Sequence, residues 1–87
     1  YFMSKQKIAL TPQIDVDAIL EQMATIYKAE EITTIDGVKI DFESNWVHLR
    51  KSNTEPIIRI YTEAASQHQA DTLANDIISQ IKQIAGL

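Results

Sequence analysis

The sequence predicts an α+β domain: an antiparallel sheet of four to five strands with two helices packed on one face. Three observations predict it. Residues 16–27 and 70–85 place apolar side chains at three- and four-residue spacing, the pattern of amphipathic helices. Between them, apolar and polar residues alternate with a period of two, as half-buried strands do. Polar clusters at Asp36-Gly37, Ser44-Asn45 and Ser52 to Pro56 divide that stretch into hairpins. Strands grouped between two helices, rather than alternating with them, place both helices on one layer.

The elements follow in order. Residues 1–12 read as an incoming connection with a short strand or extended arm over Lys5 to Leu10, broken by Thr11-Pro12. Asp15 is placed to cap a helix in which Val16, Ile19, Leu20, Met23, Ile26 and Tyr27 form the apolar stripe. Ile14 before the cap is set to pack on Ile19 as a hydrophobic staple, and the helix is expected to end near Lys28, whose charge would complement the dipole. Glu31 to Ile35 reads as a strand leading into Asp36-Gly37, a two-residue hairpin signal that needs positive φ. Val38, Ile40 and Phe42 alternate with Lys39, Asp41 and Glu43. After the turn at Ser44-Asn45, Val47 and Leu49 share one face of the next strand, and Trp46, His48 and Arg50 share the other. Ile57 to Glu63 completes the meander. Ser66 and Gln69 have capping-box spacing for the last helix, and Gly86 stands where a C-cap glycine belongs.

Composition narrows the function classes. Eighty-seven residues make one domain, near the lower end of what a single core stabilises. The net charge of −4 and the lack of a lysine-arginine cluster argue against a nucleic-acid surface. No apolar run approaches the roughly 20 residues that span a membrane, and no secretory leader opens the chain. The absence of cysteine excludes disulfides and thiolate metal sites and is compatible with a cytoplasmic protein. The chain opens on Tyr1 and reads as a piece of a longer polypeptide.

The chemistry concentrates in Arg50-Lys51-Ser52-Asn53-Thr54-Glu55-Pro56. Arg50 offers a planar fork of donors that matches phosphate oxygens in pairs. Ser52, Asn53 and Thr54 add short donors, and successive amides of a tight turn form an anion-binding concavity. Asn53 tolerates the left-handed conformation such a turn uses, and Pro56 holds Glu55 extended. The same residue types also make an ordinary polar connection. His48 shares the face of Arg50 and reads as a structural or solvent-facing histidine, and no Ser-His-Asp set, glycine-rich nucleotide loop or metal cluster can be assembled. Phosphoryl transfer needs a nucleophile, charge neutralisation and positioning, and this chain supplies the positioning alone. Trp46 is expected at a sheet edge, and Lys51 facing solvent.

The stretch resembles the phosphate-binding loop in the C-terminal domain of the α-D-phosphohexomutases, the phosphoglucomutase/phosphomannomutase family. That loop runs Arg-x-Ser-Gly/Asn-Thr-Glu-Pro, and Arg50 to Pro56 match every fixed position. A looser likeness covers Asp36 through Ala65 and continues into the last helix. The resemblance implies a TATA-box-binding-protein-like α+β domain, the fourth of a mutase that interconverts hexose 1-phosphate and hexose 6-phosphate. It implies that Arg50, Ser52, Asn53 and Thr54 grip the substrate phosphate, with Glu55 and Arg59 available to support the loop. It places the phosphorylated serine, the Mg2+ site and sugar recognition in preceding domains, so none of the catalytic residues lies here. Asn53, where many relatives carry Gly, leans toward the phosphomannomutase/phosphoglucomutase branch, with phosphoglucosamine mutase also open. The competing expectation is a stand-alone anion- or protein-binding module that uses the sheet face of Trp46, His48 and Arg50.

Overall fold

The computed structural model describes residues 1–34, 37–52 and 55–86. Alternation makes the strands. In the strands over residues 38–41, 46–51 and 57–64 alternate side chains are buried, and the buried set (Ile8, Val38, Ile40, Val47, Leu49, Ile58, Ile60) lies on one side of the sheet. Five antiparallel strands result: β1 (Phe2–Ala9), β2 (Glu31–Thr33), β3 (Val38–Asp41), β4 (Trp46–Lys51) and β5 (Ile57–Ala64). Their order is β1-β5-β4-β3-β2, so the first strand lies beside the last and β4 is central. Trp46 therefore stands on the central strand rather than at an edge, with the Lys39 ammonium 5.0 Å from its ring centroid. β2 ends with its ladder to β3 at Thr33, and Ile35, the end of the predicted run, lies outside the described residues. The Asp36 half of the predicted hairpin signal lies outside the described residues, while Gly37 does take a positive φ of 82°.

Two helices, α1 (Val16–Ile26) and α2 (Gln67–Ala85), cover the apolar side, α1 over β3 and β4 and α2 over β1 and β5. The Asp15 carboxylate accepts the Ala18 N–H and the Ser66 hydroxyl accepts the Gln69 N–H, so both predicted N-caps form. Gly86 closes α2 in the left-handed conformation (φ 77°). α1 ends at Ile26, short of Lys28, and its last turn holds no basic residue. The reason is Tyr27. It leaves the helix, donates its hydroxyl to Gln80 Oε1 of α2 at 2.5 Å and packs edge-on to Phe42 at 5.5 Å between centroids. Met23, Ile40, Leu49, Ile58, Ile60, Ile77 and Ile81 form the fully buried centre, each removing about 1.5–3 kcal/mol worth of side chain from water. Thr62 is a buried polar exception, and its hydroxyl donates to the Ala70 carbonyl at 2.8 Å, tying β5 to the start of α2. Among the described residues no helix covers the opposite side of the sheet.

Candidate functional site

Arg50 stands at the end of the central strand, on the uncovered side, because Val47 and Leu49 occupy the buried parity. One residue beyond β4, the Ser52 N–H donates to the Ile57 carbonyl at 3.0 Å and closes the base of the loop. Ser52 therefore spends its amide on the hairpin. Asn53 and Thr54 lie outside the described residues. On the far side of the loop the Ile57 N–H donates to the Glu55 carbonyl at 2.8 Å. The Pro56 carbonyl accepts the Leu10 N–H at 2.6 Å, so the end of β1 braces the loop from outside. Lys51 has the opposite parity to Arg50 and pairs with Asp17 in the first turn of α1 at 2.8 Å. It is half-exposed rather than simply solvent-facing, and it ties the loop stem to the helix layer.

Closure between Ser52 and Ile57 sets the register of β4 against β5, and that register puts Arg59 directly opposite Arg50. Side chains so paired have Cβ atoms about 4.5–5.5 Å apart. Both arginines are exposed and rise from the same side of the sheet. Arg59 thus stands beside Arg50 itself. Among the described residues no ion pair joins it to Glu55, whose exposed side chain projects from the loop. The sequence reading left Glu55 and Arg59 available to support the loop and did not place Arg59 beside Arg50. The signal that identifies its neighbour is the hairpin closure, which becomes legible only once the loop ends are known. His48 lies two residues before Arg50 on the same side, opposite Tyr61.

Gly37 supports Arg50 from the other flank. A Cβ at Gly37 would collide with the Leu49 carbonyl oxygen and come within 3.3 Å of the Arg50 Cα. Only glycine lets the β2–β3 turn lie against the strand that presents the guanidinium.

A profile described as the phosphoglucomutase/phosphomannomutase C-terminal domain matches residues 7–80, which include the whole sheet beyond the first half of β1 and most of α2. The chain belongs to this family. Among similar proteins is a phosphoglucosamine/phosphogalactosamine mutase of Sulfurisphaera tokodaii, 39% identical over 79 residues, which cover 88% of this chain and 17% of that protein. A phosphoglucosamine mutase of Methanococcus maripaludis is 32% identical over 85 residues, covering 94% of this chain and 19% of the relative. A phosphoglucomutase/phosphomannomutase of Thermococcus kodakarensis is 47% identical over 58 residues, covering 64% and 13%. The chain thus spans less than a fifth of the length of these relatives. The five antiparallel strands with two helices on one face are the architecture expected for this C-terminal domain. No described helix is long and apolar enough to cross a membrane.

Proposed function

We propose that this phosphohexomutase C-terminal domain binds the phosphate of a hexose phosphate while the preceding domains of the same polypeptide carry out its transfer between the 1- and 6-positions. Arg50 provides the bidentate charge-assisted contact, Ser52 its hydroxyl, and Asn53 and Thr54 further short donors. One observation carries the reading: two arginines, Arg50 and Arg59, stand opposite one another beside a loop pinned at its base and braced from β1. Two guanidinium groups placed directly across strands concentrate positive charge, which an anion bound between them would offset. Arg59 is therefore assigned to the anion as well as to the loop.

The groups in this set address phosphate and leave the sugar uncontacted. Such a clamp serves glucose, mannose or glucosamine phosphates alike, which accords with the variety of names among the relatives. Closure of the domain over a cleft would exclude water and strengthen each charged contact. Among the described residues no group of three or more histidine, aspartate or glutamate side chains could hold a metal ion. Nothing in the role of this chain is therefore derived from the Mg2+ that the family implies; in this reading preceding domains hold it, and the enzyme works in the cytoplasm.

The test is a titration of the ¹⁵N-labelled chain with glucose 1-phosphate, followed by NMR. Binding by a single loop is expected near millimolar, about −4 kcal/mol. Shifts should centre on Arg50 to Thr54 and Arg59 and disappear in Arg50→Ala. Shifts spread over the sheet and indifferent to Arg50→Ala would overturn the clamp and favour a binding module that uses the sheet face.

A further inference from the structure

Five of the eight lysines and arginines, Lys5, Lys7, Lys39, Arg50 and Arg59, rise from the uncovered side of the sheet, although the chain carries a net charge of −4. Lys39 is answered locally by Asp41 at 3.5 Å and by the Trp46 ring. Lys5 and Lys7 are not. Lys7 lies directly opposite Arg59, and Arg59 directly opposite Arg50, so three adjacent strands set three cations in one row. Lys5 sits one position nearer the far end of the face, opposite Tyr61. Together with Gln6, these residues of β1 and β5 line one shallow depression. Among the described residues the side chains of Lys5, Lys7 and Arg59 make no hydrogen bond or ion pair. The acid of β5 on this face is Glu63, two positions beyond Tyr61 and away from the loop.

Like charges placed directly across strands work against the fold. Lys7 and Arg59 face each other across the strands with no acid beside them among the described residues, and an anionic ligand would neutralise them. We infer that Lys7, with Lys5 behind it, is a further phosphate-binding group of the loop site and holds the dianion from the β1 side. The inference rests on the clamp reading of Arg50 and extends it to a strand far from the loop in sequence. Two strand spacings, about 9.6 Å, separate the Lys7 and Arg50 backbones, a gap that two long side chains together can span. β1 also braces Pro56 through Leu10, so the strand that carries Lys7 moves with the loop.

A lysine that merely guards the exposed edge of β1 against pairing with another chain would affect solubility and leave phosphate affinity alone. The experiment separates the two roles. Wild-type chain, Lys7→Gln, Lys5→Gln, Arg50→Ala and the remote control Lys82→Gln are each titrated with glucose 1-phosphate at two ionic strengths by NMR. Lys82 is in the last turn of α2, on the helix layer. Lys7→Gln is expected to weaken binding about fivefold and Lys5→Gln about twofold, both with a shallower salt dependence, and Lys82→Gln to stay near wild type. If Lys7→Gln matches Lys82→Gln while Arg50→Ala still loses the ligand, the assignment of Lys7 is overturned and the clamp stands. If Arg50→Ala keeps full affinity, the clamp fails and the assignment of Lys7 fails with it.

Discussion

Arg50 owes its position to a residue without a side chain. Gly37 lies against the Leu49 and Arg50 backbone at a positive φ, so any Cβ there must displace the strand end that bears the guanidinium. Gly37→Ala should therefore cost about 2–4 kcal/mol, more than the roughly 1 kcal/mol of an ordinary unfavourable glycine replacement, because collision adds to the backbone term. Urea denaturation of the two chains measures it, and a loss below 0.5 kcal/mol would mean that the turn simply moves aside. At this scale the sequence was informative about residue types and poor about neighbours. Arg50 and Ser52 were singled out as anion donors by their chemistry alone, and they remain so under the proposed function. The spending of the Ser52 amide on hairpin closure, the Lys51–Asp17 pair and the opposition of Arg59 to Arg50 all depend on pairing register, which residue types do not encode.

Elements were the most legible level, because their signals are local. Period-two alternation located β3, β4 and β5, and both helix N-caps were read from Asp15 and from Ser66 with Gln69. Where reading and structure part, a long-range contact intervenes: Tyr27 leaves α1 early to reach Gln80 and Phe42. The join between β5 and α2 depends on one buried hydroxyl. Thr62 is fully buried and donates to the Ala70 carbonyl, in the first turns of α2. Thr62→Val keeps the shape and strands that carbonyl's partner position, so it should destabilise by about 1–2 kcal/mol. Thermal unfolding followed by circular dichroism gives the answer, and an unchanged midpoint would show that α2 is seated by its apolar stripe alone.

For the whole molecule, the arrangement hidden from the sequence was the place of β1. Residues 1–12 read as an incoming connection with a short strand or extended arm over Lys5 to Leu10; β1 instead runs over Phe2–Ala9, pairs with β5 at eight positions and completes the five-stranded sheet. Nothing in its own residues names β5 as the partner, since strand neighbours far apart along the chain are chosen by the global packing. That placement carries a kinetic consequence. β1 and β5 residues that pair lie about 50 to 60 positions apart, so their closure costs more chain entropy than any of the hairpins and should come after them. The Leu10–Pro56 bond that braces the loop can form only then, which makes the proposed anion site the last part of the molecule to be assembled. A ligand of that site should hold the native state back from unfolding rather than hasten its formation. With glucose 1-phosphate at ten times its dissociation constant, stabilisation of about 1.4 kcal/mol should appear as a roughly tenfold slower unfolding limb and an unchanged folding limb in stopped-flow chevrons at matched ionic strength. An acceleration of folding instead would place β1 in the nucleus, with the phosphate clamp built first and the remaining sheet assembled around it.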